Sequence, residues 1–201
     1  SRAFATCTLP LRDFKAVAAA CEATINDLLL ATCSGALRQY LAGHHELPKR
    51  SLVAAVPLSL RESGESAAGN QVTMLPCPLG TDQKTPRARL AAIQAGMTKV
   101  KGTKTSFRDL IPTDYPSLGS PWLMSGLAQL YARTRLADRI PLPANLVISN
   151  VPGPPVTLYL AGARMTTYFP VSIVVHGLAL NITVHSYDGK LHLGLIACRK
   201  N

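Results

Sequence analysis

The stretch that decides the fold is TINDLLLATCSGALRQYL, residues 24–41. Thr24 stands where an N-cap is expected, and Asp27 follows three residues later, as in a capping box. The small side chains of residues 33–36 leave room for another element to approach the backbone closely. Apolar residues recur at steps of three and four, the period of a helix with one buried face: Ile25, Leu28, Leu29, Ala36, Leu37, Tyr40 and Leu41. We therefore predict a helix that begins at Thr24 and packs against a sheet.

The polar pair Asn26 and Asp27 allows two interpretations. In the first, Asp27 caps the helix and its charge complements the positive end of the helix dipole, while Asn26 is solvated. In the second, both residues lie at an interface or cleft, where they hold neighbouring groups by charge-assisted hydrogen bonds. Residue chemistry alone leaves both interpretations open.

Composition indicates a folded chain with a sizeable core. Hydrophobic residues make up 47% and charged residues 16% of the 201 residues, which excludes a disordered protein and suits either one domain or half of a two-domain molecule. The formal net charge of +10 suits anionic partners such as phosphates or acidic lipid. Nucleic acid is not favoured, because aromatic residues are only 5% and are not interleaved with the basic ones.

The cysteines and the chain ends give further expectations. Five cysteines form no CxxC pair and lie in apolar surroundings, so we predict buried thiols in a reducing compartment, without disulfides or zinc. The apolar run Phe169–Val184 is too short and too interrupted to span a bilayer, and two buried strands are expected there. The chain opens with Ser1 and shows no signal peptide, which we interpret as a segment of a longer protein.

The remaining elements alternate between helix and strand early and are mostly strands late. Strands are predicted at 3–9, Leu52–Leu60, 71–79, Leu146–Val151, Met165–Val175, Ala179–Tyr187 and Lys190–Cys198, and helices at Leu11–Cys21, from Pro86, and from Ser120 to Arg135, with a loop at Gly102–Ser120. Asp188 and Gly189 fit a two-residue primed hairpin turn. Pro57 and Pro76 are expected at bulges, edges or strand ends. This order predicts an α/β or α+β fold with a mixed sheet packed with helices.

The helix from Pro86 has Thr85 as its predicted cap and a buried stripe at Leu90, Ile93, Met97 and Val100. Basic residues occupy its other faces or follow it: Arg87, Arg89, Lys99, Lys101, Lys104 and Arg108. They form either a solvated face or a site for an anion, such as a phosphate-bearing cofactor or a membrane surface.

The histidines carry no recognisable catalytic or metal-binding pattern. His44 and His45 open HHELPKR, which fails to match the acyltransferase motif HHxxxDG because Lys49 and Arg50 replace Asp and Gly, so a surface loop is expected. His185 and His192 face each other across the predicted hairpin, but no cysteine or carboxylate cluster accompanies them. No metal site is therefore predicted.

Several blocks in order resemble one family. TINDLLLATCSGALRQYL, PLSLR (57–61), GNQ (69–71), SNVPGP (149–154) and LNITVHSYDGKLHLGL (180–195) resemble the C-terminal half of the bacterial wax ester synthase/acyl-CoA:diacylglycerol acyltransferases. The resemblance extends from about Thr24 to Ala197. It implies a fold of the chloramphenicol acetyltransferase type, in which two sandwich lobes enclose a tunnel, with residues 1–201 forming a single domain, the second lobe.

The family resemblance also implies an activity. Its members move a fatty acyl group from acyl-CoA, a substrate rather than a bound cofactor, to a long-chain alcohol or diacylglycerol. The catalytic His of HHxxxDG belongs to the N-terminal lobe and is absent here, so this chain alone is predicted to be inactive. The ND pair places Asn26 and Asp27 in support of the active site. Residues proposed for the tunnel wall are Arg61, Asn70, Asn150, Pro152 and Gly153.

Two alternatives stay open beside this interpretation. The fold also serves carrier-dependent condensation-type acyltransferases, and the NVPGP segment is equally explained as a rigid turn. The chain could instead be a non-catalytic lipid- or membrane-binding module. For the complete enzyme the resemblance implies a cytoplasmic protein peripheral to the inner face of the membrane or to lipid droplets. A homodimer is left open.

Overall fold

The computed structural model describes residues 1–59, 72–108, 144–154, 156–174 and 177–199. Within these ranges the chain forms the following elements in order: β1 (Arg2–Pro10), α1 (Leu11–Ala20), α2 (Ile25–Gly43), β2 (Val53–Ser59), β3 (Val72–Pro78), α3 (Pro86–Arg108), β4 (Leu146–Val151), β5 (Tyr159–Leu160), β6 (Ala163–Arg164), β7 (Leu180–Tyr187) and β8 (Lys190–Cys198).

A mixed sheet is the centre of the fold. Its strands follow the order β1-β8-β7-β4-β2-β3, with β7, β4 and β2 parallel to one another and the outer pairings antiparallel. The turn between β7 and β8 has positive φ at both Asp188 and Gly189, which confirms the primed hairpin. Pro57 is tolerated in β2 because the pairing of β2 with β4 covers only Ala54 and Ala55.

The three helices pack on one side of this sheet, the helix-bearing face. Leu29, Leu30 and Cys33 of α2 are buried against β2, β4, β7 and β8, together with Ile93 and Met97 of α3. Thr24 and Asp27 form the predicted capping box, so the start of α2 is confirmed. The buried face differs from the prediction, because Ala36 and Tyr40 are exposed. Leu30, Cys33 and Ser34 are buried in their place. Tyr40 is 61% exposed and makes a tilted ring contact with His44 instead of reaching the core.

Helix α3 lies against the small residues of α2. The guanidinium of Arg89 approaches Gly35, where an added Cβ would lie 3.4 Å from Nη2, so the expected close approach is confirmed. Thr85 Oγ1 accepts a hydrogen bond from Ala88 N, as an N-cap should. Arg89 itself is buried and donates to the carbonyls of Gln83 and Lys84, so it is not part of a solvated basic face.

Three further expectations need correction or lie outside the described residues. Residues 165–174 are irregular rather than a strand, because they bond to side chains of the sheet's surface instead of pairing with a neighbour. The helix α3 continues through Gly102 to Arg108, where a loop was expected, because no proline interrupts it. The predicted helix from Ser120 to Arg135 lies outside the described residues.

The cysteines are only partly as predicted. Cys33 and Cys77 are buried, whereas Cys7 is exposed and Cys21 and Cys198 are half-buried. Cys7 is exposed because β1 is an edge strand that bonds only to β8. Burial raises the pKa of Cys33 to about 12, so this thiol stays protonated and unreactive.

Within the described residues no single helix is long and apolar enough to cross a membrane. Helices α1 and α2 have the length and apolar composition of a span only when taken together, and they are bent by 102° relative to each other.

Candidate functional site

A cavity lies on the side of the sheet opposite the helices, which we call the cavity face. Residues 165–174, the cover segment, cross this face and close one side of it. The cavity has a volume of about 590 Å³, within the range of roughly 300 to 1,000 Å³ that is usual for small-molecule sites. The sheet supplies Pro57, Met74, Val147, Ser149, Val151, Asn181, Thr183 and His185, and the cover segment supplies residues 168–173.

Strand alternation explains which residues face the cavity. Successive side chains of a strand point to opposite faces, so Ile182 and Val184 of β7 enter the core while Asn181, Thr183 and His185 face the cavity. The parallel register pairs Thr183 with Ser149 of β4. A row of polar side chains therefore forms the floor of the cavity.

One floor residue, Asn181, holds the cover segment, and its neighbour Thr183 holds Asn181 in place. Asn181 Nδ2 donates to the carbonyl of Ile173 at 2.9 Å and to Ser172 Oγ at 3.3 Å. Thr183 Oγ1 donates to Asn181 Oδ1 at 2.9 Å, which fixes the amide orientation. These bonds satisfy buried polar groups that would otherwise each cost about 1 to 3 kcal/mol. Asn181 and Thr183 thus build the cavity.

Tyr187 and Gly194 hold the cover segment and the β5–β6 hairpin before it at two other points. The Tyr187 hydroxyl donates to the carbonyl of Met165 at 2.9 Å and accepts from Leu158 N at 3.0 Å, so one buried hydroxyl joins both ends of the β5–β6 hairpin. Gly194 lets the Pro170 carbonyl rest directly on β8, since an added Cβ would overlap that oxygen. The cover segment is therefore anchored along its length.

The two facing histidines lie on the cavity face. The register pairs His185 with His192, as the sequence predicts. His192 is fully buried, its Nδ1 is 3.2 Å from Thr8 Oγ1, and its Nε2 has no partner among the described residues. Desolvation lowers the pKa of both imidazoles, and the charge of Lys190 lowers the pKa of His192 further. Both rings are therefore neutral at neutral pH.

Asp27 and Asn26 lie at the start of α2, on the helix-bearing face. Asp27 Oδ2 accepts from Thr24 N at 3.1 Å and from Thr24 Oγ1 at 2.7 Å, so one carboxylate oxygen is committed to the cap. Asp27 is buried. Burial of the Cys77 thiol and, to a smaller extent, the charge of Asp27 raise the pKa of Cys77 to about 11. Asn26 is half-buried. The capping interpretation describes the geometry of Asp27, and an additional role at a lobe interface stays a prediction.

The NVPGP segment follows β4. Val147, Ser149 and Val151 face the cavity, so strand alternation directs Asn150 toward the helix-bearing face. Pro152 is exposed. Gly153 N donates to Ser186 Oγ at 3.1 Å, and the glycine lies so close to β7 that an added Cβ would overlap the Ser186 carbonyl oxygen. The tight shape expected of this segment is present, and its role as a tunnel wall stays a prediction.

The other sequence candidates fall elsewhere. Arg61 and Asn70 lie outside the described residues. His44 and His45 are exposed at the end of α2, as expected for a surface loop. Among the described residues no three histidine, cysteine or acidic side chains come together as a metal site would require.

Sequence reasoning missed the polar floor of the cavity. The signal was present in LNITVHSY, where polar residues alternate with aliphatic ones at positions 181, 183 and 185. Alternation shows that these residues share one face, but only the cover segment turns that face into a cavity. The arrangement offers hydrogen bonds from uncharged groups inside apolar walls, and no charged side chain of the described residues lines it.

Sequence comparisons agree with this fold. The profile described as the WS/DGAT C-terminal domain matches residues 68–201. A putative diacylglycerol O-acyltransferase of Mycobacterium tuberculosis (strain ATCC 25618 / H37Rv) is 40% identical over 200 residues, covering 99% of this chain and 40% of that protein. The O-acyltransferase WSD of Acinetobacter baylyi is 41% identical over 199 residues, covering 99% of this chain and 42% of that protein. The chain thus spans about two fifths of the length of these relatives.

Solved structures give the same result. The wax ester synthase/diacylglycerol acyltransferase from Marinobacter aquaeolei VT8 superposes with a TM-score of 0.74 at 34% identity, covering 100% of this chain and 43% of that one. The first condensation domain of the CDA synthetase has a TM-score of 0.53 at 13% identity, covering 98% of this chain and 40% of that one. The second likeness shows the fold alone. The predicted fold of the chloramphenicol acetyltransferase type, a mixed sheet packed with helices, is confirmed.

Proposed function

Because the chain belongs to the wax ester synthase/diacylglycerol acyltransferase family, whose C-terminal domain it matches, we propose that it is the C-terminal lobe of an O-acyltransferase. The complete protein moves a fatty acyl group from acyl-CoA to a long-chain alcohol or to diacylglycerol. Acyl-CoA is a substrate, and the proposal includes no permanently bound cofactor. Residues 1–201 act as one domain that depends on an N-terminal lobe.

The observation that carries this proposal is an uncovered apolar surface beside the cavity. Val171 is 73% exposed, Ile173 is 76% exposed, and Leu160 at the tip of the β5–β6 hairpin is 83% exposed. Large exposed apolar patches mark interaction surfaces. The relatives are longer than this chain, which matches about two fifths of their length. We assign the N-terminal lobe, contained in the part that this chain does not match, to the exposed apolar surface. The cavity would then form part of the passage between the two lobes.

The chemistry is divided between the lobes. The described histidines offer no HHxxxDG motif, so the general base that deprotonates the acceptor hydroxyl comes from the N-terminal lobe. This lobe contributes surfaces that position substrates. Asn26 and Asp27 support the active site from the helix-bearing face, through hydrogen bonds that fix the start of α2 behind the sheet. Pro152 and Gly153 shape the passage, and Asn150 does so from the helix-bearing side of β4. We extend the same role to Arg61 and Asn70.

The complete enzyme is proposed to work at a lipid surface. Its acceptors are lipids, and the formal charge of +10 on this chain favours the anionic inner face of a membrane or a lipid droplet. Peripheral attachment from the cytoplasm fits both features.

Reconstitution tests the proposal. The 201-residue chain is assayed with radiolabelled palmitoyl-CoA and either hexadecanol or dioleoylglycerol, alone and after mixing with an N-terminal lobe that carries HHxxxDG. We expect no ester from the chain alone and ester formation after mixing. A mixture in which the second His of that motif is replaced by Ala is the control. Ester formation by the chain alone, or none from a stable complex of the two lobes, would contradict the proposal.

A further inference from the structure

Two polar side chains of the cavity floor are not used in building it. Asn181 and Thr183 are committed to the cover segment and to each other. Ser149 and His185 line the same floor and form no side-chain hydrogen bond with the described part of the chain. They are therefore available to a molecule that enters the cavity.

The ring of His185 is held in one orientation. It stacks on Tyr168 with ring centroids 4.8 Å apart. Its Nδ1 is buried without a partner among the described residues, which leaves Nε2 as the nitrogen for a molecule in the cavity. Desolvation lowers the pKa of this imidazole, and the ring is neutral at neutral pH. A neutral ring presents either an N–H or a lone pair at Nε2, depending on its tautomer.

These properties select the polar group of a ligand. A hydroxyl both donates and accepts, so it can bond to Nε2 in either tautomer and to the Ser149 hydroxyl as well. A carboxylate only accepts and carries a charge, and no cationic side chain among the described residues lines the cavity to balance it.

The walls select the rest of the ligand. Met74, Val147, Val151, Phe169 and Ile173 surround the polar floor with aliphatic and aromatic surface. Pro57 extends this surface toward the edge of the sheet. An unbranched alkyl chain gains from this burial about 0.8 kcal/mol for each methylene removed from water.

We propose that the cavity binds the hydroxyl end of an uncharged aliphatic alcohol, with His185 and Ser149 as its hydrogen-bonding partners and the apolar walls holding its chain. The inference rests on the proposed function, since it assigns the acceptor alcohol to this lobe. His185 acts here as a binding residue for the acceptor, separate from the general base of the other lobe.

Direct binding tests the inference without any transfer reaction. Affinities of the 201-residue chain for 1-octanol and for octanoate are measured by ligand-observed NMR titration at neutral pH. We expect saturable binding of 1-octanol and at least about tenfold weaker binding of octanoate, because the cavity cannot balance its charge. Absence of saturable 1-octanol binding, or equal affinity for octanoate, would overturn the inference.

A matched pair of variants locates the binding. His185→Phe keeps the ring on Tyr168 but removes the nitrogen, and it should weaken 1-octanol binding about five- to tenfold, as loss of one buried hydrogen bond predicts. His44→Phe removes an imidazole that also contacts a tyrosine ring, that of Tyr40, at an exposed position remote from the cavity, and it should leave 1-octanol binding unchanged. Equal affinity of His185→Phe and His44→Phe would refute the assignment.

Two additions keep the test decisive. Ser149→Ala is measured beside His185→Phe, and it should weaken 1-octanol binding about two- to fivefold. Circular dichroism detects a folding defect in either variant, and the correctly folded variant then tests the site. If alcohol binds as described but the two-lobe mixture transfers no acyl group, the proposed function fails while the site stands. If transfer occurs and His185→Phe leaves alcohol binding and its KM unchanged, the site fails and the function stands.

Discussion

Glycine and histidine show most clearly how single residues acquire their roles in this molecule. Gly153 and Gly194 have no unusual backbone angles to explain them, yet each leaves room for a carbonyl oxygen of a crossing segment. His192 is buried beside Thr8, and the desolvation that burial causes lowers the pKa of its imidazole and keeps the ring neutral. In each case the neighbour across the fold, rather than the residue's own chemistry, determines what the position requires.

The first prediction concerns Gly153. Gly153→Ala places a methyl group on the Ser186 carbonyl oxygen and forces β7 or the NVPGP segment to shift, so the free energy of unfolding should fall by about 1 to 3 kcal/mol. Gly43→Ala is the control, because no atom of the described residues lies within 4 Å of its added Cβ and alanine favours the helix by up to about 1 kcal/mol. Urea unfolding followed by circular dichroism measures both. Equal or higher stability of Gly153→Ala would contradict the close approach.

At the scale of the element, α2 combines a strong local signal with a tertiary contact. Its capping box satisfies orphan backbone donors at the start of the helix, and that pattern is readable from Thr24 and Asp27 alone. The contact of Gly35 with Arg89 depends on where α3 crosses, and it explains why a helix-weakening glycine occupies the middle of α2. Local sequence therefore sets the start of the helix, and packing explains its composition.

The second prediction tests the cap. Thr24→Ala removes the hydroxyl that accepts from Asp27 N and donates to Asp27 Oδ2, so the free energy of unfolding should fall by about 1 to 2 kcal/mol. Thr32→Ala in the same helix is the matched control, since Thr32 is exposed and, within the described part of the chain, its hydroxyl bonds only to the carbonyl of Leu28. The control should be neutral or slightly stabilised. Thermal unfolding of the two variants, measured side by side, provides the comparison. Similar losses of stability in both variants would show that the capping box is not the cause.

At the scale of the whole molecule, the two faces of the sheet differ in how completely other parts of the chain cover them. The helix-bearing face has a continuous core that includes Leu29, Ile93 and Ile148, all almost fully buried. The cavity face is covered by the irregular cover segment, whose own outer side chains remain in water. Because the cavity face ends in exposed aliphatic side chains, it is suited to packing against a further layer of protein.

The third prediction addresses that layer. Ile173→Ser replaces an exposed isoleucine of the cover segment, so it should leave the stability of this chain within about 0.5 kcal/mol and yet reduce its association with the N-terminal lobe about tenfold or more. Val17→Ser on α1 is the control, an exposed aliphatic residue on the helix side that should leave association unchanged. Co-purification and analytical ultracentrifugation of the two lobes supply the measurement. Equal association of both variants would place the interface elsewhere.

The sequence by itself determined the elements whose signals are local: the capped start of α2, the buried side chains Leu90, Ile93 and Met97 of α3, and the primed turn at Asp188. It also determined the family, because five short blocks recur in one order. Only the tertiary structure decided that residues 165–174 lie across the sheet without pairing, and that Ser149 and His185 share a cavity beneath them. The physical reason is that helix periodicity and turn geometry depend on neighbours in the chain, whereas a cavity depends on which distant segments meet.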